Sequence, residues 1–303
     1  MELGVMTNVY RFERGGKTSK SYIQQLNSCA QAGFRVVDLS ATNSIRNRND
    51  DLATDDWEAK IDALGNHAAG LGIRFSQSHA PFNGNIMLRG KQPDSDYVAM
   101  FREMSRRTVI AASRLGVRWV VVHPLTDTVN TEYDNSIQLQ TNHEFYCEMV
   151  ELAAKLGTGI AFENMSEPGE HCDPRRRYGS ATDDLIAILD SFAGAPVGVC
   201  WDFGHGRITY TDQPRQLRRL GSRLKATHVH DNRGERDSHL IPFVGGNIKW
   251  ETIMPVLREI GYEGDFILET HKFMGDIPEA LRPAAGRLMH QFGDYCLDMY
   301  NNA

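Results

Sequence analysis

Short apolar segments alternate with longer stretches of helical periodicity along the chain. Eight such segments stand out, and each is almost continuously apolar, as is typical of parallel strands covered on both faces. Their starts lie about 30 to 45 residues apart, the length of one strand-plus-helix repeat. The predicted strands are Leu3–Met6, Arg35–Leu39, Ile73–Ser76, Trp119–His123, Gly159–Glu163, Val197–Asp202, Ala226–Asp231 and Phe266–Thr270.

Apolar residues at helical spacing fill the intervals, and several of these helices are followed by a glycine just before the next strand. Phe145, Met149, Leu152 and Leu156, for example, precede Gly157. The sequences AGF, LGI, LGV and IGY repeat the arrangement, and glycine is a common helix stop. Eight such units without a dinucleotide-binding glycine motif predict an α/β fold, a single (β/α)8 TIM barrel, with one domain over residues 1–303.

Composition and charge narrow the choice of protein class. No apolar run approaches the roughly 20 residues that span a bilayer, which excludes a membrane protein. We expect no secretory signal, because the first residues lack a basic start followed by a long apolar stretch. We expect a cytoplasmic protein with reduced thiols, because its cysteines are odd in number, scattered and form no close pair. The net charge of −6 argues against a nucleic-acid partner, and the basic run Pro174–Arg177 is interpreted as a solvated loop. The cysteines are Cys29, Cys147, Cys172, Cys200 and Cys296.

Polar residues stand at the ends of six consecutive predicted strands. Active sites of (β/α)8 barrels lie at the C-terminal ends of the strands, so these side chains should meet at one mouth. Carboxylates crowded together repel one another unless they share a positive charge, and carboxylates with imidazoles are typical divalent-metal ligands. The pattern therefore predicts a metal site. The residues in question are His79, His123, Glu163, Asp202, His228, His230 and Glu269.

Two further segments point toward the same mouth. Asp202 and His205 lie three residues apart around a glycine turn, so both can face the cavity. The long segment 231–250 is polar, then glycine-rich, and then opens a helix. A long loop at the mouth of a barrel is expected to cover the substrate.

Taken in order, these motifs make the chain similar to the xylose-isomerase-like superfamily of metal-dependent barrels, in its sugar-phosphate isomerase and epimerase branch. The resemblance spans nearly the whole chain. Its motifs are SHAPFN, VVVHP, IAFENM, CWDFGH, THVHDN, DSHLIPFVGGNIKW and ILET. By this resemblance Glu163, Asp202, His228 and Glu269 are the metal ligands, and the two glutamates are also the acid/base pair.

The resemblance also implies a set of substrate-binding residues, among which His205 matches the histidine that orients the substrate. On the seventh strand His228 and His230 point to the same side. His228 is preferred as the ligand because the family has an acidic residue three positions later, where Asp231 stands. The residues expected to contact substrate are His79, His123, His205, His230, Asp231, Arg233 and His239.

The implied activity is a divalent-metal-dependent isomerase or epimerase of a small carbohydrate, phosphorylated or not, in a chain that can form homo-oligomers. A proton removed beside a carbonyl leaves an enediolate, whose charge a Mn, Mg, Co or Zn ion stabilises; oxygen-rich ligation favours Mn or Mg. Return of the proton to the same carbon gives epimerisation, and return to the next carbon gives isomerisation. Loss of a β-hydroxyl gives dehydration, so a dehydratase or lyase of a keto-sugar or cyclitol is an alternative.

A DNA-repair nuclease like endonuclease IV, with three zinc ions, is the second alternative. Its ligand pattern can be traced onto nine residues of this chain. Two features count against it: Phe203 and Gly204 replace the Thr and Cys of the nuclease turn, and Arg89 and Lys91 are no dense basic run. A sugar-binding protein without activity would lack a ligand, and none of the four is missing. The nine are His79, His123, Glu163, Asp202, His205, His228, Asp237, His239 and Glu269.

Overall fold

Eight parallel strands, in sequence order, make up the sheet of this protein. The computed structural model describes residues 1–11, 19–45, 47, 50–82, 94–127, 133–168 and 177–303. Within them, each strand pairs with its neighbours in the chain, and the first strand also pairs with the eighth. The strands are Leu3–Met6 (β1), Val36–Ser40 (β2), Arg74–His79 (β3), Trp119–Val122 (β4), Gly159–Glu163 (β5), Val197–Asp202 (β6), Leu224–His228 (β7) and Phe266–Leu268 (β8).

The gap between β7 and β8 is bridged by two backbone hydrogen bonds. Val229 N–H donates to the carbonyl of Ile267 at 2.7 Å, and Glu269 N–H donates to the carbonyl of Val229 at 2.8 Å. These bonds bring the last two strands together and complete a single (β/α)8 barrel, which confirms the predicted fold class.

Helices follow the strands and cover the outside of the barrel. Glycines after five of them have φ between +65° and +102°, the left-handed conformation that ends a helix, as the sequence predicted. Within the described residues no helix has both the length and the apolar character that crossing a membrane requires. The helices are Tyr22–Ala32 (α1), Trp57–Gly70 (α2), Ser95–Arg114 (α3), Asn135–Lys155 (α4), Thr182–Ser191 (α5), Phe203–Thr209 (α6), Gln213–Leu220 (α7), Trp250–Glu259 (α8), His271–Asp276 (α9) and Arg282–Asn301 (α10).

The seventh and eighth strands are shorter at their C-terminal ends than predicted. β7 ends at His228, because Asp231 instead pairs its backbone with Leu240 in an antiparallel bridge. β8 ends at Leu268, one residue before Glu269. His230 and Glu269 therefore stand just beyond the sheet, at the start of the loops that form the barrel mouth.

Small side chains on four adjacent strands form the floor of that mouth. Val121, Ala161, Cys200 and Ala226 are buried together, in a cluster separate from the main core. Each precedes a predicted site residue by two positions, and residues two apart on a strand face the same side. The barrel interior beneath the site is thus filled by small apolar groups, and the larger polar side chains lie on top of them.

Gly159 gives a test of this close strand packing. An added Cβ would lie within 3 Å of the Trp119 ring and 2.7 Å from the carbonyl of Pro196. We expect Gly159→Ala to lower the free energy of unfolding by about 1–3 kcal/mol in urea denaturation, because the strands would be overpacked. Gly70→Ala is the control, since nothing lies within 4 Å of its added Cβ. Equal stability of the two variants would contradict this packing.

Candidate functional site

Four side chains from the ends of four adjacent strands converge at the barrel mouth. Glu163 ends β5, Asp202 ends β6, His228 ends β7, and Glu269 follows β8. One ligand atom from each lies within 4.8 Å of those of the other three, and all four residues are buried. The structure therefore brings together the four predicted metal ligands, which we call the quartet.

His228 presents one ring nitrogen to the carboxylates of the quartet. Its Nδ1 is 3.2 Å from Glu163 Oε2 and 3.5 Å from Glu269 Oε2, and has no hydrogen-bond partner among the described residues. Its Nε2 donates to Asp38 Oδ2 at 3.3 Å, and Gln77 donates to the same oxygen at 2.9 Å. A carboxylate behind a histidine orients the ring and raises its basicity, as in many metal sites.

Burial and mutual proximity shift the pKa values of the quartet. Burial alone would raise the pKa of Glu163, but His228 and His123 outweigh it and hold that pKa well below its ordinary range. Burial and the neighbouring carboxylates hold the pKa of Glu269 well above its ordinary range. Burial opposes a charge on His228, yet surrounding acidic groups raise its pKa well above the ordinary value. The two glutamates thus differ strongly in proton affinity.

This donor set fits a divalent metal ion. Three buried carboxylates attract positive charge, and Nδ1 of His228, which has no hydrogen-bond partner in the described part of the chain, faces two of them. Carboxylate oxygens with one imidazole suit Mn, Mg, Co and Zn. The residues that would hold the ion are Glu163, Asp202, His228 and Glu269.

A second group shares Glu163 with the quartet. Nε2 of His79 and Nε2 of His123 each lie 3.2 Å from Glu163 Oε2. His79 Nδ1–H donates to the carbonyl of Ala80 at 2.7 Å, so Nε2 is the ring nitrogen that faces the carboxylate. Burial lowers the pKa of His123 to about 4, which keeps this ring neutral at pH 7. Two imidazole nitrogens directed at one carboxylate suit a cation among these three side chains.

A third group lies on the other side of the quartet. His239 Nε2 is 2.8 Å from Asp237 Oδ2, and the rings of His239 and His230 stack with centroids 4.0 Å apart. His230 Nε2 donates to Asp202 at 3.0 Å; burial opposes its charge, but this carboxylate raises its pKa to about 9. His205 Nε2 is 3.9 Å from Asp237. His239 has a φ of +46°, a conformation uncommon outside glycine.

A cavity of about 470 Å³ adjoins the three groups. Its walls include many of the side chains predicted from the sequence, and also three cationic residues that the sequence analysis did not select as site residues, Arg11, Arg177 and Lys272. This volume is within the range of small-molecule sites. The predicted residues on its walls are His79, His123, Glu163, His205, His239 and Glu269.

His230, Asp231 and Arg233 were predicted to contact substrate, and none of the three lines the cavity. The buried Asp231 carboxylate accepts hydrogen bonds from Ile248 N–H at 3.0 Å and Trp250 Nε1 at 3.1 Å. The exposed Arg233 donates from Nε to the carbonyl of Gly245 at 2.8 Å. Because the chain turns back in the antiparallel bridge after β7, Asp231 and Arg233 fasten the loop 231–250 instead.

Sequence reasoning also missed Asp38, which lies under the quartet on β2. A single carboxylate inside the apolar run RVVDL was the available signal. Several residues used in the sequence analysis lie outside the described part of the chain. These are Asn83 of SHAPFN, Arg89, Lys91, Cys172, and 174–176 of the basic run.

Comparison with known proteins identifies the family. Residues 26–288 match the model of a family described as xylose isomerase-like TIM barrels. The chain is 28% identical over 194 residues to an uncharacterised protein of Methanocaldococcus jannaschii and 40% identical over 83 residues to one of Sinorhizobium fredii. The matches cover 63% and 27% of this chain, and 62% and 26% of those proteins. The chain thus spans less than two thirds of these curated relatives.

Solved structures share the fold over nearly the whole chain. A D-tagatose 3-epimerase-like protein has a TM-score of 0.73 at 22% identity, and covers 100% of this chain and 99% of its own. A D-psicose 3-epimerase, solved in the presence of D-fructose, has a TM-score of 0.72 at 17% identity, with 98% and 99% covered. The IolI protein with a zinc atom has a TM-score of 0.69 at 15% identity, with 100% and 99% covered.

The two histidines of THVHDN give a test of which imidazole binds metal. We expect His228→Ala to lower metal affinity by at least 10- to 100-fold, because Nδ1 of this ring faces two carboxylates of the quartet. We expect His230→Ala to keep metal content near normal and to affect substrate handling. Calorimetric titration of both variants with Mn measures their metal affinities. Loss of Mn binding in His230→Ala, with binding kept in His228→Ala, would show that His230 is the ligand instead.

A substitution at Asp38 tests whether its carboxylate orients the His228 ring for metal binding. We expect Asp38→Asn to keep the fold and weaken Mn binding by about 10- to 100-fold, because the neutral amide orients the ring less well. Asp50→Asn is the control, since this buried aspartate accepts hydrogen bonds from Tyr22 and Leu52 instead. Equal metal affinity in the two variants would show that Asp38 has no such effect.

Proposed function

This chain belongs to the xylose isomerase-like TIM barrel family, and from that premise we propose that it is a divalent-metal-dependent isomerase or epimerase of a small sugar or sugar phosphate. The observation that carries the proposal is the quartet, Glu163, Asp202, His228 and Glu269, buried beside a cavity of small-molecule size. The fold shared with sugar 3-epimerases supports it.

The quartet would hold the metal, and its oxygen-rich composition favours Mn or Mg. A divalent ion bound there supplies Lewis-acid stabilisation of the negative charge that develops when a proton leaves the carbon beside a carbonyl. The protein side chains supply the proton transfer and hold the substrate.

Glu163 and Glu269 divide the proton transfer between them. The lowered pKa of Glu163 keeps its carboxylate ionised and suited to accept a proton. The pKa of Glu269 is raised by burial, which gives its carboxyl the higher proton affinity of the two and suits it to the return of the proton. Delivery to the same carbon from the opposite face gives the epimer, and delivery to the next carbon gives the isomer. Loss of a β-hydroxyl gives dehydration.

Histidines on the cavity wall are suited to orient substrate hydroxyls. His205 is held in place because its backbone N–H donates to Asp202 at 2.7 Å and its Nδ1 donates to the carbonyl of Asn164 at 2.8 Å. His79 is fixed in the same way by the carbonyl of Ala80. Rings held by the backbone position a flexible polyol with little loss of entropy on binding.

A second candidate function has its own structural support. The three groups of possible ligands adjoin one another, and the first two share Glu163. Such an arrangement suits a phosphodiesterase with several metal ions, like endonuclease IV. Metal analysis of the purified protein separates the two functions: about three tightly held zinc ions per chain support the nuclease, and about one exchangeable ion supports the isomerase.

Glu163→Gln tests the proposed reaction. We expect a folded protein whose turnover falls by at least 10²-fold, because an amide is a poor metal ligand and cannot act as a base. Turnover is measured by NMR as solvent deuterium incorporated into ketoses in the presence of Mn. Glu259→Gln, an exposed change at a surface ion pair with Arg218, is the control. Activity of Glu163→Gln above about one per cent of wild type would contradict the assignment.

A further inference from the structure

The cavity contains a guanidinium group that the proposed proton transfer does not use. Arg177, the last residue of the basic run Pro174–Arg177, lies on the cavity wall together with Glu163, His205 and Asp237. The sequence pattern alone suggested a solvated loop, yet this side chain is only partly exposed. A partly buried guanidinium on a cavity wall is placed to contact a ligand in that cavity.

Arg177 has unused hydrogen-bonding capacity. Its Nη1 lies 3.4 Å from Ser166 Oγ and 3.5 Å from the carbonyl of Ser166, both long distances. Nε and Nη2 have no hydrogen-bond acceptor, and no carboxylate lies within 4.0 Å, among the residues the structure describes. A guanidinium has five N–H donors in a rigid fork, so most of them remain available to a ligand.

The charge balance of the cavity explains what Arg177 can do there. Burial lowers its pKa, with Glu163, Asp237 and Glu167 acting in the opposite direction, and arginine stays charged at any ordinary pH. Glu163, Asp237 and Glu269 line the same cavity, so an anionic substrate would meet carboxylates on its walls. An anionic substrate could enter such a site only if a cation offset that repulsion.

Lys272, the other cation near Asp237, is already engaged. Its Nζ donates to the carbonyl of Asp237 and lies 3.9 Å from that residue's carboxylate. Arg11, the third cation on the wall, is buried, and its Nε donates to Ser19 Oγ at 3.4 Å. Arg177 is a cavity cation whose fork of donors is still largely available. A planar fork of this kind matches the oxygens of a phosphate or a carboxylate in a bidentate contact.

We propose that Arg177 binds an oxyanion group of the substrate, a phosphate or a carboxylate on a ketose, and so sets the specificity of the site. The substrate class rests on the proposed isomerase or epimerase function. If Arg177 merely balanced the charge of Glu163 and Asp237, its removal would change metal affinity but would leave the preference among ligands unaltered.

The experiment compares three ketoses by calorimetry on the Mn-loaded protein. D-Fructose is neutral, D-fructose 6-phosphate carries a phosphate, and D-fructuronate carries a carboxylate. The variants are Arg177→Met and Arg177→Lys. Arg236→Met is the charge-matched control, because Arg236 is exposed and is not among the cavity residues. Thermal melting checks that each variant folds.

Wild type is expected to bind one of the anionic ketoses about 10- to 100-fold more tightly than D-fructose, as expected for a hydrogen-bonded charge pair. Arg177→Met should abolish this preference for the anionic ketose, Arg177→Lys should retain part of it, and Arg236→Met should retain all of it. Whichever anion binds tightly identifies the oxyanion. If Arg177→Met does not fold, Arg177→Lys decides the question. A smaller ratio of anionic-ketose to D-fructose affinity in Arg177→Lys than in wild type supports the proposal, and an unchanged ratio contradicts it.

Two results would overturn the proposal: wild type showing no preference for either anion, and the Arg177 variants keeping the wild-type ratio. Deuterium exchange measured on the same samples tests the proposed function separately. Tight, Arg177-dependent binding without exchange would uphold the oxyanion site and contradict the isomerase. Deuterium exchange without a preference for an anionic ketose would support the isomerase and contradict the oxyanion site.

Discussion

Repulsion among buried carboxylates is the constraint on which the rest of this structure depends. Glu163, Asp202 and Glu269 lie together at the barrel mouth, where water cannot screen their charges. Such a group is stable only with positive charge among its members. A raised pKa on His228 supplies some of it. A divalent ion would supply more, and would displace the proton from the imidazole as it binds.

Two features of the fold hold the carboxylates together: the closure of the barrel between β7 and β8, and the small side chains beneath the quartet. The hydrogen bonds between Val229 and the end of β8 set Glu269 beside His228, which joins the two ends of the sheet at the site. Beneath the quartet, small buried side chains such as Ala161 and Ala226 leave room for larger polar groups above them. Asp38 then fixes the ring of His228 from β2. The scaffold therefore positions the charged groups before any substrate arrives, which is what rapid proton transfer requires.

The pattern of strands and helices predicted the barrel and the strand ends that meet at its mouth, and the family resemblance then selected the quartet among the residues there. Parallel strands in a barrel end at one mouth, so Glu163, Asp202 and Glu269 had to come close together wherever those strands ended. Loop geometry has no such regularity. Asp231 was expected in the cavity, but the antiparallel bridge after β7 turns it under the loop. Arg177 was interpreted as a solvated residue because nothing in its neighbours along the chain shows which way a loop folds.

Anomalous diffraction from Mn-soaked crystals tests the central claim most directly, because it locates the ion independently of any substrate. The account predicts one dominant anomalous peak within coordination distance of Glu163, Asp202, His228 Nδ1 and Glu269. A dominant peak at His79 and His123, or at Asp237 and His239, with none in the quartet, would contradict it, as would the absence of any peak at this mouth.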